Sequence, residues 1–503
     1  MLTEEEARSI VDRIFRTSRA PEVSVHLGWH QNCNTRFANN DVTTAGFTSD
    51  LTINITVCQD RKTGIASTTE TSDDALKRAV NRAQELAAVA LPDPEYVEPL
   101  GPQSYPKIAG YDEASASARS AELVPAIRTS IESAEARKLN SFGFFEVDTT
   151  ADAVANKNGL FGHHRATSAN YSVTARTLSS SGSGWAQSQA PRLSGVQAGR
   201  VSETALKKAL DSESPRNLDP GKYTVILEPA ALEEMLGFML YSFGARAADE
   251  GRSFLSQKGG GTLLGEKVFG ENVTLTSDPF DERMPGSPWG ISGPPWTDFR
   301  GGEWLPAEKT VWVEKGVVKN MSCSRYWARK SNRHPAAYPS SIVMEGGHAT
   351  VDDLIASTDR GLLITHFWYV RFLQDQTLQL TGLTRDGVFY IEKGKILYPV
   401  NNFRFNQSVV DTLNNVEDMT PAERSPPQSS PPLRYGTSIC PPTPTPCNRR
   451  RKPIVKNWQF KLKPNDLLAR RIISITNILG EAVKKTLRQG SKTNGQPDQI
   501  RNR

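Results

Sequence analysis

The strongest constraint on the fold is a strand followed by an unusual helix in the middle of the chain. Residues 223–227 read as a short strand rich in β-branched and aromatic side chains, and residues 230–249 predict a helix that is apolar on nearly every side. Such a helix is stable only when other elements surround it. We therefore predict that the second half of the chain wraps its strands around one buried central helix.

The remaining strands of that half are short and are separated by Gly, Pro and Asp turns. They are predicted at 223–227, 273–276, 310–314, 361–372 and 388–397. This pattern favours a curled sheet or partial barrel, so residues 221–419 are predicted to form a β-rich domain.

The first 220 residues predict a separate α+β domain. Helices are expected at 3–19, 71–90, 117–136 and 201–210, and strands at 21–29, 51–57, 171–176 and 185–189. The segment 35–44 between the first two strands is rich in turn formers, and Asn158-Gly159 is typical of a two-residue hairpin turn with positive φ at both residues. The fold class is therefore α+β.

The chain changes character after Met419. Residues 420–447 are rich in Pro and Ser and are predicted to be a linker without a core of its own. Residues 448–503 carry a net charge of +12, against −7 for the first 447 residues, and include a predicted basic helix at 466–488. This basic tail suggests one alternative function, binding of nucleic acid.

The compartment is predicted from the cysteines and from the lack of targeting segments. The five cysteines are scattered and odd in number, which argues against a disulfide framework and for a reducing compartment. The acidic start is unlike a secretory signal, and no apolar run approaches the roughly 20 residues that span a bilayer. We expect a cytoplasmic protein without membrane association.

Common catalytic motifs are missing from the sequence. The Gly-rich segment 259–267 lacks the Gly-Lys-Ser/Thr ending of a phosphate loop, and no Gly-x-Ser-x-Gly occurs. His26 and His30 share one face of a predicted strand, but no carboxylate or Cys is expected beside them. A hydrolase with ligands drawn from His334, His348 and His366 stays as an alternative.

Several motifs together resemble a known family. They are the run 35–40 (TRFANN), the block 225–239 (VILEPAALEEMLGFM), the segments 251–255 and 265–269, the strand 387–397 (GVFYIEKGKIL) and the following 399–406 (PVNNFRFN). These resemble the TldD/PmbA family, also called modulators of DNA gyrase, over roughly residues 1–419. The tail departs from the family pattern and is either a genuine extension or a frameshifted end.

The resemblance implies a zinc-dependent peptidase complex in which a catalytic subunit pairs with a metal-free paralogue. The catalytic branch carries His-Glu-x-x-x-His on the central helix and a later Cys. The corresponding positions here are Gly237, Phe238, Ser242 and Arg385, so every ligand is replaced. The chain resembles the PmbA (TldE) branch, with no catalytic residue, metal ligand or cofactor of its own.

The expected function is that of a non-catalytic subunit in a complex that degrades small or unfolded polypeptides. Zinc is expected in the catalytic TldD-like partner of a hetero-oligomer, and a peptide is the expected substrate.

Overall fold

Helices and long antiparallel strands alternate through the N-terminal part of the chain. In this computed structural model the described residues are 1–290, 303–424, 429–430 and 433–437. The helices are α1 (Glu4–Thr17), α2 (Asp73–Val89), α3 (Glu113–Ala116), α4 (Ser120–Ala136) and α5 (Ala198–Asp211). The strands are β1 (Glu22–Ala38), β2 (Asp41–Gln59), β3 (Lys62–Thr68), β4 (Leu139–Asn156), β5 (Phe161–Thr177) and β6 (Ser183–Ala190).

The six strands form one sheet in the order β3-β2-β1-β4-β5-β6. Successive side chains of a strand point to opposite faces, so one face is apolar and the other polar. Odd-numbered residues such as Val25, Leu27 and Tyr171 pack under the helices. Even-numbered residues such as Asn32 and Asp148 form hydrogen-bonded pairs on the opposite face.

The first hairpin differs from the prediction. β1 and β2 extend through most of 35–44 and meet at Asn39-Asn40, where both residues have positive φ, 51° and 60°. At Asn158-Gly159, by contrast, only Gly159 has positive φ. Asn tolerates the left-handed region, so the two-residue turn forms at the Asn pair. The expectation for Asn158 was wrong.

The C-terminal part contains shorter elements. Its helices are α6 (Pro229–Tyr241), α7 (Ala245–Asp249), α8 (Arg325–Ser331), α9 (Val351–Ala356) and α10 (Val409–Asn414). Its longer strands are β7 (Tyr223–Leu227), β11 (Thr310–Glu314), β14 (Arg360–Gln374), β15 (Gln379–Glu392), β16 (Lys395–Pro399), β17 (Arg404–Ser408) and β21 (Leu433–Thr437). Its shorter strands are β8 (Leu275–Ser277), β9 (Trp289–Gly290), β10 (Leu305–Pro306), β12 (Val317–Val318), β13 (Ile342–Met344), β18 (Val416–Met419), β19 (Glu423–Arg424) and β20 (Ser429–Ser430).

The prediction of a buried central helix is confirmed in α6, although the helix is shorter than expected. Leu232, Met235, Leu236 and Met239 are fully buried in the largest apolar cluster of the described residues. The helix ends at Tyr241, and Ala245 starts α7, so 230–249 is not one helix. The sheets around it are open, which agrees with the predicted α+β class.

Two other predicted boundaries were wrong. The expected strand 388–397 is split into β15 and β16 by a turn at Lys393-Gly394, where both residues have positive φ. The supposed linker 420–447 contributes β21, which pairs with β7 inside the sheet ordered β16-β15-β14-β7-β21-β18. The predicted basic helix at 466–488 lies outside the described residues. No helix of the described part is long and apolar enough to cross a bilayer.

Gly184 allows α5 to lie directly on β6. A Cβ at Gly184 would lie 2.2 Å from the Ala205 carbonyl oxygen and 2.5 Å from the Ala209 nitrogen. We expect Gly184→Ala to lower the free energy of unfolding by about 2 kcal/mol, since backbone atoms cannot move aside cheaply. The matched control is Gly199→Ala in α5, because a Cβ at Gly199 meets nothing within 4 Å. Chemical denaturation measures both, and equal stability of the two variants would contradict the close approach.

Candidate functional site

The candidate site is built on the face of α6 that turns away from the apolar core. Glu234, Gly237, Phe238 and Tyr241 are spaced three or four residues apart and therefore share one side of the helix. Glu234, Gly237 and Phe238 are partly buried, and Tyr241 is exposed. On this face the family resemblance implies a metal ligand at Gly237 and the general base at Phe238.

The implied site positions on and directly after α6 hold residues that do not bind zinc. Beside Gly237 there is open space, because a Cβ there would meet nothing within 4 Å. The Phe238 ring packs edge-on against Phe372, with 4.9 Å between ring centroids. Ser242 follows the last helical residue, and its hydroxyl donates to the Phe238 carbonyl at 3.2 Å. None of these side chains is a usual zinc ligand.

Arg385, the fourth implied position, lies on β15 directly opposite His366 of β14. Its guanidinium lies 4.2 Å from the centre of the Trp368 ring, and its Nε is 3.5 Å from the Asp386 carboxylate. A cation occupies the place where the resemblance implies a thiolate ligand. The residues present at the four positions therefore do not fit a zinc ion.

An Asp-His pair that the sequence analysis missed lies beside Arg385. The Asp386 carboxylate is 4% exposed and accepts hydrogen bonds from the Ser183 hydroxyl at 2.6 Å and from His366 Nδ1 at 3.3 Å. The His366 ring stacks on Trp185, with 4.3 Å between centroids and 7° between planes. Because Ser183 and Trp185 belong to β6, this cluster joins the two sheets.

A backbone irregularity directs Asp386 inward. Asp386 and Gly387 have φ of 56° and 126°, and the register between β14 and β15 shifts between Ile364 and His366. An Asp-Gly pair is typical of turns, and here it marks a bulge inside a strand. That dipeptide was the one sequence signal that pointed to the pair.

The buried carboxyl of Asp386 and the partly buried carboxyl of Glu234 have opposite pKa shifts. Burial raises the pKa of Glu234, and the nearby positive charges of His366 and Arg371 only partly oppose this effect. Burial also acts to raise the pKa of Asp386, but the hydrogen bonds from His366 and Ser183 outweigh it, so the pKa lies below its usual range.

A cleft of about 440 Å³ begins at Trp185. One wall consists of β6 residues, and the other consists of residues from α5 and the start of α6. Trp185 thus lines the cleft and also stacks on His366, so the cleft lies beside the Asp-His pair.

Two further histidines have carboxylate partners that were not expected. His26 Nε2 lies 3.2 Å from an Asp152 oxygen, and His30 Nε2 lies 2.7 Å from an Asp148 oxygen. β4 runs beside β1 and supplies both acids across the sheet. The expectation that no carboxylate lies beside these histidines was wrong, because pairing with a distant strand is not visible in the local sequence.

The remaining histidines do not assemble into a metal centre. His163 Nε2 lies 3.2 Å from the Leu2 carbonyl oxygen, and His164 is partly buried against Trp289. His334 and His348 are exposed. Among the described residues, no group of three His, Cys, Asp or Glu side chains is placed to hold a metal ion. The structure therefore does not support the alternative hydrolase with ligands from His334, His348 and His366.

Comparison with protein families identifies this architecture. A model described as the PmbA/TldA metallopeptidase C-terminal domain matches residues 220–442, and a model of domain 1 matches residues 30–87. Together they cover more than half of the chain. The chain belongs to the TldD/PmbA family. The C-terminal match extends beyond Met419, which agrees with the position of β21 in the sheet.

Individual relatives in the TldD/PmbA family are distant in sequence. The metalloprotease PmbA of Escherichia coli O157:H7 is 22% identical over 434 residues, covering 82% of this chain and 90% of the relative. A metalloprotease of Methanothermobacter thermautotrophicus is 24% identical over 239 residues, covering 43% of this chain and 46% of the relative, slightly less than half of its length. The crystal structure of TldE from Thermococcus kodakarensis has a TM-score of 0.75 at 17% identity, covering 86% of this chain and 99% of that one.

The raised pKa of Glu234 predicts a pH-dependent effect of Glu234→Gln. A carboxyl with a raised folded-state pKa stabilises the fold only at low pH, and this contribution is lost as the pH rises through that pKa. We expect the variant to be more stable than the unmodified chain at pH 8, by on the order of 1 kcal/mol, and equally stable at pH 4. Denaturant titrations at both pH values measure this, with the exposed Glu5→Gln as control. A constant difference across pH would contradict the assignment.

The lowered pKa of Asp386 predicts the opposite dependence for Asp386→Asn. A carboxyl with a depressed pKa contributes stability above its unfolded-state pKa, and the contribution is lost as the pH falls through the folded-state pKa. Asn tolerates the positive φ, so the change removes mainly the charge. We expect a loss of about 2 kcal/mol at pH 7 that shrinks toward pH 3. The same titrations apply, with the exposed Asp375→Asn as control, and an equal loss at both pH values would refute the explanation.

Proposed function

We propose that the chain is a non-catalytic subunit of a TldD/PmbA-type zinc metallopeptidase complex that degrades small or unfolded polypeptides. The observation that carries the proposal is the replacement of the three implied ligands by Gly237, Ser242 and Arg385 and of the implied general base by Phe238. A metal-dependent peptidase needs several ligands and an open coordination position in one place. Family membership suggests the reaction of a metallopeptidase. The residues at the four positions argue that another subunit holds the metal.

The residues at two of the replaced positions pack against other side chains, which argues against a metal site at these positions. The Phe238 ring occupies space against Phe372, and the Arg385 guanidinium is engaged by Trp368 and Asp386. Restoring ligands would require these packed side chains to be removed. In this proposal a TldD-like paralogue holds the zinc ion, and the α6 face forms one wall of the space in which a peptide is cut.

An apolar surface beside the site supports a protein partner. Trp368 and Tyr369 are 50% and 57% exposed, and Leu373 is 52% exposed on the same strand. Exposed aromatic side chains in a group are typical of surfaces that bind another chain. Tyr369 has a φ of 56° within an irregular stretch of β14, so the strand departs from regular pairing at this patch.

The proposal places the complex in the cytoplasm. Among the described residues, Cys33, Cys58 and Cys323 are buried and unpaired. Free buried thiols are usual in a reducing compartment. The basic tail, which suggested nucleic-acid binding, lies outside the described residues, and no contact of the described part favours that alternative.

The test compares the purified chain with a mixture of the chain and its TldD-like paralogue. We expect the isolated chain to contain less than about one tenth of an equivalent of zinc and to leave an unfolded polypeptide intact, since metal affinity requires a ligand set. The mixture should co-elute, contain zinc and cleave the polypeptide. Elemental analysis, size-exclusion chromatography and mass spectrometry of the products measure these properties.

The control replaces the metal-activating Glu of the paralogue by Gln. Cleavage by the mixture should then disappear, although zinc and co-elution persist. Stoichiometric zinc in the isolated chain together with cleavage by it would overturn the proposal. Failure of the two chains to associate would overturn the assignment of this partner.

A further inference from the structure

A second cavity shares a boundary with the cleft at Trp185. Its volume is about 480 Å³, and Thr204, Lys208 and Glu228 line both spaces. Lys208 Nζ lies 2.5 Å from a Glu228 oxygen, and only 14% and 25% of these two side chains are exposed. This ion pair therefore borders the cleft and the second cavity, which we call the rear cavity.

The floor of the rear cavity is apolar. Leu363 of β14 and Phe389 of β15 are direct cross-strand partners, and both line the cavity. Their neighbours Leu362 and Val388 belong to the core around α6, so Leu363 and Phe389 lie on the opposite face of the sheet. Leu354 of α9 packs on this same outer face. The rear cavity therefore lies over an apolar sheet face that α6 does not cover.

A β-bulge in β16 adds to the apolar floor. Ile391 of β15 pairs with Ile396. The next pair is Tyr390 with Tyr398, so Leu397 is an extra residue on β16. A bulge re-aims a side chain that regular alternation would send to the other face of the sheet. Ile396 and Leu397 are consecutive, yet both line the rear cavity, and they are 44% and 50% exposed.

The side of the rear cavity that α5 forms carries charges of both signs. Lys207 and Asp211 line the cavity and form an ion pair one helical turn apart, with 76% and 45% of their side chains exposed. An exposed pair of this kind contributes little to stability, so its members exchange partners at small cost. An ammonium and a carboxylate are therefore available together at the edge of an apolar cavity.

We propose that the rear cavity binds a small zwitterion with an apolar body, namely a free apolar amino acid or a dipeptide of apolar residues. The apolar body of the ligand lies on Leu363, Phe389 and Leu397. Its carboxylate binds Lys207, and its ammonium binds Asp211. The cavity volume lies within the roughly 300–1,000 Å³ of known small-molecule sites, which combine apolar walls with a few polar groups. A ligand without the apolar body or without the charges loses one of these two sets of contacts.

The first test compares four compounds on the isolated full chain by saturation-transfer NMR titration: leucine, leucyl-leucine, glycyl-glycine and N-acetyl-leucyl-leucinamide. We expect leucine or leucyl-leucine to bind about tenfold more tightly than glycyl-glycine, which lacks the apolar body. The same ligand should bind about tenfold more tightly than N-acetyl-leucyl-leucinamide, whose ends carry no charge. The tighter of the two zwitterions shows whether an amino acid or a dipeptide is the ligand. Absence of binding by both, or equal binding of all four compounds, would overturn the proposal.

The second test locates the ligand by substitutions of exposed residues. We expect Lys207→Met, which removes the partner of the ligand carboxylate, and Leu397→Ser, which removes part of the floor, each to weaken binding of the tighter zwitterion about fivefold. The matched controls are Lys77→Met on the exposed side of α2 and Leu178→Ser, where the leucine is 66% exposed. Both controls should bind within about twofold of the unmodified protein. Circular dichroism checks folding, and if one cavity variant does not fold, the other decides. Folded cavity variants that bind as tightly as the controls would overturn the proposal.

The two proposals can fail separately. Small apolar zwitterions are among the molecules that hydrolysis of a polypeptide releases. That the ligand is a product of the complex rests on the proposed function, whereas its binding to the isolated chain does not. Zwitterion binding without cleavage by the mixed subunits would overturn only the proposed function. Cleavage by the mixture, together with no binding of either zwitterion to the isolated chain, would overturn only the site in the rear cavity.

Discussion

Burial of the apolar side chains of α6 is the constraint on which the C-terminal half depends. Its apolar side chains share one cluster with Phe243, Trp312 and Phe367, which come from segments far apart in sequence. A helix with so little polar surface cannot remain next to water, so the sheets must close over it from several sides. Its partly open face, with Glu234, Gly237, Phe238 and Tyr241, is then the part of the helix that is free to contact a ligand.

The two sheets are joined by polar contacts at the site and near it. Ser183 donates to Asp386, Lys208 pairs with Glu228, and Arg246 binds Glu95 through two hydrogen bonds of 2.7 Å. Buried or partly buried charge-assisted bonds require defined geometry and are costly to break on one side only. The Ser183–Asp386 contact joins β6 to β15, and the Lys208–Glu228 contact joins α5 to the residue before α6. Changes at Asp386 should therefore affect both sheets.

Local pattern predicted much of the fold, including α1, α2, α4 and the buried helix, because these depend on periodicity and capping within a few residues. Family motifs lead us to expect replaced ligands at Gly237, Ser242 and Arg385 and a replaced base at Phe238, and these assignments stay predictions. The break after Tyr241, the bulge at Asp386 and the acids beside His26 and His30 were not predicted. Each depends on strands or turns that pair across long separations, and such pairing leaves little trace in neighbouring residues.

The position of β21 has a consequence for biosynthesis. β7 lies between β14 and β21, and Tyr223 is paired with Thr437, more than two hundred residues later. Contacts of such long range form slowly, because the two ends of the intervening chain must first be brought together. On the ribosome, the sheet that covers α6 cannot be completed until residue 437 has emerged from the exit tunnel. Until then the apolar helix has an incomplete cover, so the nascent chain is a natural client for chaperones that bind exposed apolar segments.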